Sequence, residues 1–360
     1  MNSTWDRWHD LYHLDYLPTQ IDVFYERCAA SVDTWSAQAY LILKQQGLNV
    51  HFVPREVPGQ ISIVPYHQLK LRNLPFHSYT VGVQYDCARP EICEQRIVLN
   101  QRVVLGQTDH FVHHWPHPLL QVRDRDRGLN LENVVFKGRT RNLAAPFRDP
   151  AFALELQQHG IHFCLDADAQ DDDAPARFRL WGDYSQADAN LAVRDATEKD
   201  LLMKPAVKLI NGWHAGCPTI VSPEPAYQAL YRSELDYIEA RSAKEVIAAL
   251  KQLKAEPGRY AAMIENGFER AKDFTHERLA TQWSELLANP IATGYRQWRQ
   301  QSVIQKVVGR PWQFIQRARQ HKREFKQYID NIHNGPRLFC HSDRDPALSD
   351  RPLNFDTGPI

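Results

Sequence analysis

The sequence lacks a long apolar run, an excess of charge of one sign, and paired cysteines. No stretch approaches the roughly 18 apolar residues of a membrane span. The first twenty residues lack the apolar core of a signal peptide, so we expect a cytoplasmic protein. Lys plus Arg (43) balance Asp plus Glu (43), so no global charge indicates nucleic acid. The six cysteines include no CxxC pair, and we interpret them as mostly reduced packing residues.

The chain length indicates two domains, because 360 residues exceed the size at which one hydrophobic core usually stops growing. From residue 21, short β-rich runs alternate with amphipathic stretches, as in βα units around a parallel sheet. We therefore predict an α/β protein with two Rossmann-like domains. The predicted divisions are an N-terminal extension (1–20), a first domain (21–128), a second domain (129–290), a basic helical segment (291–333) and a loosely ordered tail (334–360).

A loop rich in Pro and charge precedes residue 129 and separates two sets of predicted strands. A solvated loop is expected at 171–173, and capping patterns at Ser242–Glu245 and Thr275 predict two further helices. The predicted strands of the first domain are 21–25, 50–53, 61–64, 79–83, 96–99 and 109–112, with a helix capped by Asp33 or Thr34. Those of the second are 133–136, 161–165, 190–193 and 219–221, with helices near 150–158 and through 205–215.

The most informative stretch runs from Lys204 to Glu224. Pro205 suits the first turn of a helix, whose free N–H groups and dipole attract an anion. Lys204 and Lys208 add positive charge to this end, so a diphosphate would be well held there. The alternative interpretation is that both lysines are merely exposed charges on a helix.

The end of the same stretch contains a tight turn. Gly216 and Pro218 let the chain leave the helix and re-enter the sheet. The turn would bring Ser222 and Glu224 to the carboxyl edge, where open α/β sheets bind ligands. Short Gly-Pro signals are common, however, and the turn alone is not specific.

The stretch resembles the donor-site signature of GT-B glycosyltransferases of the family 4-like, group 1 type. The resemblance continues in the usual order for roughly eighty residues, through Tyr227, 239–242, 266–270, 274–275 and Trp283. A weaker match upstream, at 136–139, looks like the strand and Gly turn that open the second domain of such enzymes.

The resemblance implies a GT-B fold with an acceptor domain followed by a nucleotide-sugar donor domain and a C-terminal crossover helix. The implied reaction transfers a sugar from a nucleotide-sugar donor to a hydroxyl of a glycan, lipid or small molecule, without a metal or other cofactor. Arg194, at the end of a predicted strand, is a further candidate to line the cleft between the two domains. The alternative is that it forms a salt bridge to Asp188 or Asp195. The candidate donor-binding residues are Arg139, Arg141, Arg194, Lys204, Lys208, Asn211, Ser222 and Glu224.

One departure from the family pattern concerns a carboxylate pair. Many retaining members carry Glu-x7-Glu, whereas here Asn211 stands five residues before Gly216 and Met203 stands eight residues before Asn211. The sequence therefore does not determine whether the transfer retains the configuration of the sugar, or which residue contacts the ribose of the donor.

Candidate catalytic residues lie in the first domain. Asp86 follows a predicted strand and could act as a general base, or could serve only in a turn. His113 and His114 lie near the domain boundary and could take a proton from an acceptor hydroxyl, or could be packing residues. Together with His110 and His117 they form H-x2-H-H-x2-H, but Pro116 argues against the helix that a zinc site of this spacing would need.

Three alternatives remain open at this stage. The missing carboxylate pair would suit a non-catalytic nucleotide-sugar-binding protein on a degenerate GT-B fold, and a sugar-nucleotide 2-epimerase shares the architecture. The segment 291–329 carries nine Lys or Arg against Glu324 alone, with apolar residues at 304, 307, 308, 312 and 315. It could be the crossover helix or could contact an anionic membrane peripherally.

Overall fold

The structure, a computed structural model, describes residues 6–14, 16–165 and 173–339. Within these residues the chain forms two sheets in which neighbouring strands are parallel. The first, in the order β1-β2-β3-β4, contains β1 (Ile61–Pro65), β2 (Tyr79–Val83), β3 (Gln95–Val98) and β4 (Asp109–Phe111). The second, in the order β6-β5-β7-β8-β9, contains β5 (Asn133–Val135), β6 (His162–Cys164), β7 (Ala189–Ala192), β8 (Thr219–Val221) and β9 (Ile238–Glu239).

Helices flank both sheets, which confirms the predicted α/β class with two halves, each built on a sheet of parallel strands. In the first half they are α1 (Asp22–Tyr25), α2 (Ser31–Asp33) and α3 (Ala39–Gln45). In the second they are α4 (Ala145–Arg148), α5 (Pro150–Gln158), α6 (Ala174–Gly182), α7 (Glu198–Leu201), α8 (Val207–Ala215), α9 (Pro225–Gln228), α10 (Ala243–Ala255) and α11 (Pro257–Ala271). The chain then continues through α12 (His276–Leu286), α13 (Ala292–Gln300) and α14 (Arg310–Asn334).

The first sheet is covered by helices from both ends of the chain. Short 3-10 turns lie between β1 and β2 and between β3 and β4, and no α-helix separates any two of the four strands. The covering helices therefore come from elsewhere in the sequence. A π turn, Thr34–Gln38, joins α2 to α3, and the resulting helix buries Leu41. From the C-terminal side, Trp283 of α12 and Trp298 of α13 enter the same core. The predicted domain limit at residue 290 stays a prediction.

Two predicted strands of the first half are wrong. Residues 21–25 contain the single helical turn α1, with Ile21 and Tyr25 buried and Val23 exposed. Burial at positions i and i+4 is the spacing of a helix, and the short apolar run alone could not distinguish it from a strand. Residues 50–53 are not paired into the sheet, and Phe52 contributes only its side chain to the core.

The second half follows the sequence signals closely. Ser242 Oγ accepts a hydrogen bond from the N–H of Glu245 at the start of α10, and Thr275 Oγ1 accepts one from the N–H of Arg278 at the start of α12. Helix α8 begins at Val207, two residues after Pro205, and ends at Ala215, and the next residue, Gly216, has a φ of 70°. A left-handed residue at this place favours glycine.

The long helix α14 crosses back onto the first half, as predicted for the crossover helix. Arg317 donates to both carboxylate oxygens of Glu94 at 2.7 and 3.0 Å, and the Phe314 ring lies 5.1 Å from that of Phe76. A π turn, Gln305–Gly309, directly precedes α14. No helix in the described ranges is long and apolar enough to cross a bilayer.

Parts of several predictions lie outside the described residues. They are residues 1–5 and 15 of the N-terminal extension, residues 171 and 172 of the acidic loop, Cys340, and the tail from residue 340 onward.

Candidate active site

A cavity of about 290 Å³ lies at the point in the second sheet where the strand order reverses. The chain goes from β5 outward to β6 and then returns to the other side of β5 with β7. Ligands of open α/β sheets bind at such a switch point, outside the carboxyl ends of the strands. Lys137 and Arg139, which follow β5, and Arg194, which follows β7, line the cavity. The sheet order therefore brings three cationic residues together.

The first half closes the cavity from the opposite side with Asp86 and His114. The cavity consequently has one wall from each half of the molecule. Its other lining residues are Ser31, Thr34, His117, Gly138, Asn142, Phe178, Trp181, Tyr184, Asp195, Ala196, Asp200, Lys204, Val207, Lys208 and Asn211.

Lys208 is the second residue of α8, beside the free N–H groups of that helix. Its Nζ lies 3.8 Å from the centre of the Phe136 ring, and no carboxylate of the described chain is within ion-pair distance. Burial and the nearby Arg194 lower the pKa of Lys208 to about 7. A cation that is short of negative partners at a helix N-terminus is suited to hold an anion.

Arg194 is held in place by Glu224 and Tyr227. Its Nε lies 3.3 Å from Glu224 Oε2, and one terminal nitrogen donates to Tyr227 Oη at 2.9 Å. Burial opposes the charged form of Arg194, but the Glu224 carboxylate outweighs it and raises the pKa of the guanidinium. Ser222 Oγ donates to Glu224 Oε1 at 2.7 Å. The alternative salt bridges of Arg194 to Asp188 or Asp195 are not formed: Asp188 pairs with Arg123 and Arg127, and Asp195 with Arg148 and Arg337.

Lys204 joins the two halves at the mouth of the cavity. Its Nζ donates to the carbonyl oxygen of Asp86 at 3.3 Å and lies 3.1 Å from Asp200 Oδ1. The same carbonyl accepts a hydrogen bond from Tyr328 of α14 at 3.0 Å. Residue 86 is thus fixed by both the second half and the crossover helix.

The backbone next to Asp86 is strained. Tyr85 has a φ of 54°, in the left-handed region that a bulky side chain rarely adopts. Asp86 Oδ1 is buried without a hydrogen-bond partner in the structure. Strain and an unpartnered carboxylate oxygen beside a cavity are typical of a functional site, where the surrounding structure holds an unfavourable local geometry.

The predicted catalytic histidines lie in different surroundings. His114 lines the cavity, and its Nδ1 lies 2.6 Å from the carbonyl oxygen of Trp115. Burial lowers the pKa of His114, which favours the neutral ring. His113 does not line the cavity, because it packs between Phe111 and Phe274, and burial lowers its pKa to about 4. Within the described residues, no group of three or more potential ligands could hold a metal ion.

The predicted donor residues divide into two groups. Arg139, Arg194, Lys204, Lys208 and Asn211 line the cavity, and Asn211 Oδ1 accepts a hydrogen bond from the N–H of His117 at 3.0 Å. Arg141, Ser222 and Glu224 do not line it. Arg141 is exposed, whereas Ser222 and Glu224 are fully buried beneath Arg194.

Sequence reasoning missed Lys137, Trp181 and Tyr184, which also line the cavity. Lys137 directly follows strand β5, and its Nζ donates to the carbonyl oxygen of Leu180 at 3.1 Å. The rule that sites lie at the carboxyl ends of strands could have identified it. Trp181 and Tyr184 belong to α6 and the segment after it, and no local signal assigns them to a cavity.

Comparisons with known proteins bear on the second half. Residues 163–285 match the family model described as "Glycosyl transferase-like", which confirms the predicted resemblance over this region. None of the curated proteins matches the chain.

Several solved structures are similar to the chain at low identity. HepE of Anabaena in complex with UDP is 10% identical over 63% of this chain and 78% of that chain, with a TM-score of 0.46. Sucrose-phosphate synthase from Thermosynechococcus elongatus is 14% identical over 79% and 82%, with a TM-score of 0.45. The pneumococcal O-GlcNAc transferase GtfA in complex with UDP and GlcNAc is 13% identical over 71% and 60%, with a TM-score of 0.41. The fold assignment rests on the two sheets and not on these likenesses.

Proposed function

We propose that this protein is a glycosyltransferase of the hexosyltransferase type that moves a sugar from a nucleotide-sugar donor to a hydroxyl acceptor. The observation that carries the proposal is the cavity at the switch point, where Lys137, Arg139, Arg194 and Lys208 face Asp86 across the gap between the two halves. The second half also contributes Asp195 and Asp200, but both are already in ion pairs with basic side chains. The remaining cations on one wall and the Asp86 carboxylate on the other match a reaction in which a diphosphate leaves as a hydroxyl attacks.

The donor diphosphate would lie against the start of α8. Lys208 and the free N–H groups of the helix would contact the phosphates, with Arg139 and Arg194 completing the positive wall. Charge grows on the leaving diphosphate in the transition state, so fixed cations there lower the barrier. In this proposal the basic side chains do the work that a metal does in other transferases.

The acceptor would bind on the side of the first half. Asp86 is our candidate for the general base, since its Oδ1 is unpartnered and its backbone is fixed by Lys204 and Tyr328. His114 is the alternative base, because a neutral ring can accept a proton. His113 packs between aromatic rings, so nothing in its surroundings supports a catalytic role.

The remaining predicted donor residues would not contact the donor directly in this proposal. Glu224 and Ser222 would position Arg194 rather than bind donor hydroxyls, because both are buried beneath that guanidinium. Asn211 would shape the wall of the cavity through its contact with the backbone of His117. Arg141 keeps its proposed role only if the exposed side chain moves toward the phosphates.

Substitution of Lys208 by Ala tests the donor site. Wild-type protein should be stabilised thermally by its nucleotide sugar, because a ligand that binds only the folded state raises the melting temperature. We expect Lys208→Ala to weaken donor binding by about 10- to 100-fold, corresponding to loss of one charge-assisted contact. Lys244→Ala, an exposed lysine on α10, is the matched control.

Measurements of donor binding and sugar transfer distinguish the proposed transferase from its two alternatives. Full donor binding and transfer by Lys208→Ala would contradict the donor site. Donor binding without turnover by the wild-type protein, with a broad set of acceptors, would instead favour a non-catalytic binding protein. Conversion of the donor to an epimer with no acceptor added would identify an epimerase.

A further inference from the structure

The crossover segment carries an exposed apolar cluster that nothing in the described structure covers. The cluster consists of Val303, Ile304, Val307, Val308 and Trp312, whose side chains are between 59% and 76% exposed, and Ile315 at 44%. Residues 302–308 are all exposed, so this end of the segment projects from the body of the protein. Contiguous apolar surface of this kind marks an interaction site.

The opposite face of the same helix is already occupied. Phe314, Arg317, His321 and Tyr328 of α14 contact the first half through Phe76, Glu94, Tyr66 and Asp86. The exposed apolar cluster is therefore not needed to attach the helix to the protein. The exposure of these apolar side chains therefore points to a function outside the attachment of the helix.

Basic residues continue the exposed face toward the C-terminal end of α14. Arg319, Lys322, Arg323 and Lys326 are exposed, and Lys306 lies within the apolar cluster. Between residues 303 and 329 Glu324 is the only acid, and it is buried. Asp330, one turn beyond Lys326 on the same helix, is the first exposed acid after this stretch. The surface from residue 303 to residue 326 thus combines apolar side chains with positive charge.

We propose that this surface, the apolar cluster together with Arg319, Lys322, Arg323 and Lys326, docks onto an anionic lipid membrane. A helix with an apolar face and basic neighbours lies in the interface, with its apolar side chains among the lipid headgroups and acyl chains. Tryptophan is favoured at that depth, which suits Trp312. The positive side chains match the negative surface potential of anionic lipids. This docking does not depend on the proposed sugar transfer.

Docking in this orientation has a consequence for the cavity. The outer face of α14 would lie on the membrane while Tyr328 on its inner face contacts the carbonyl oxygen of Asp86. The Asp86 wall of the cavity would then be separated from the membrane surface by the thickness of this one helix.

Vesicle co-sedimentation of the full chain tests the proposal. We expect binding to phosphatidylcholine vesicles that contain phosphatidylglycerol, and little binding to phosphatidylcholine alone. Each basic residue near an anionic surface contributes about fivefold to partitioning, so Arg319→Glu with Lys326→Glu should weaken binding by about 25-fold or more. Lys244→Glu with Lys251→Glu on α10 has the same charge change and spacing, and should bind as the wild type does.

A second pair of variants tests how much the apolar side chains contribute to vesicle binding. Trp312 and Leu154 are each 59% exposed. Trp312→Glu should weaken vesicle binding by about tenfold or more, whereas Leu154→Glu should leave it unchanged. Added salt should weaken binding further, because it screens the attraction to the lipid headgroups.

Three results would overturn the proposal. The first is no binding to either kind of vesicle, or equal binding to vesicles with and without phosphatidylglycerol. The second is vesicle binding that none of the α14 variants changes. The third is a dimer in solution that Trp312→Glu dissociates, with no vesicle binding by the wild type, since the cluster would then be the interface between two copies of the chain. None of these results involves donor or acceptor, so the proposed transfer is tested separately.

Discussion

The two halves of the molecule differ in how they complete their cores. The second half encloses its sheet with helices that lie between its own strands, such as α5 and α8, and with α10, which follows its last strand. The first half has no α-helix between the strands of its sheet, and its core includes Trp283 and Trp298 from the C-terminal part of the chain. The second half can therefore be inferred from local pattern, whereas the first depends on contacts between distant segments.

The same difference extends to the cavity. The second half supplies the cationic wall from residues that follow β5 and β7 and from the start of α8, positions that the sheet order determines. The first half supplies Asp86, whose position depends on Lys204 of the second half and Tyr328 of α14. One wall is local in origin, and the other is assembled by packing between the halves.

The largest expected effect on activity comes from substituting Asp86, which the first half contributes to the cavity. Asp86→Asn should lower the rate of sugar transfer by about 10²- to 10⁴-fold, the usual contribution of a general base. Donor affinity, measured by isothermal titration, should stay the same, because the cationic wall is untouched. Asp126→Asn, an exposed carboxylate, is the control. If Asp86→Asn retains full turnover while His114→Gln loses it, the base is His114.

A pair of core variants tests the borrowed core directly. Trp283→Ala should destabilise the protein by about 3–5 kcal/mol, and Leu250→Ala by about 2–5 kcal/mol, because each leaves a cavity in a buried cluster. Amide hydrogen exchange should show protection lost first in β2 and β3 for Trp283→Ala and in β7 and β8 for Leu250→Ala. Loss of protection in the same strands for both variants would mean that the halves do not have separate cores.

The smallest expected effect is the pH dependence of donor binding to the cationic wall. The pKa of Lys208 is lowered to about 7 by burial, and a bound diphosphate would raise it again. Between the free and bound pKa values binding takes up a proton, so affinity should fall as the pH rises above about 7, by at most about tenfold per pH unit. Titration of a nucleotide sugar from about pH 6 to 9 measures this.

The control for the pH dependence removes the titrating group. Lys208→Met should bind weakly at every pH and show no decline over this interval. A flat affinity for the wild-type protein would mean that Lys208 does not change protonation when the donor binds.

The sequence predicted most of the second half and part of its site. Strands β5 to β8, helix α5, the caps at Ser242 and Thr275 and the turn at Gly216 were all indicated by local patterns. Lys208 and Arg139 were predicted for the same reason, since residues at helix starts and strand ends are placed by the element that carries them. The helix start was predicted two residues early, because Pro205 suits a first turn without requiring one.

The sequence alone determined that this chain is α/β with two halves, and it predicted an anion site at the start of α8. Only the tertiary structure decided that residues 21–25 form a helical turn, that Glu224 lies beneath Arg194, and that His113 and His114 face different surroundings. It also decided that the apolar residues of the crossover segment point outward. Local patterns depend on a few neighbouring residues, whereas burial and ion pairing depend on segments that meet only when the two halves pack together.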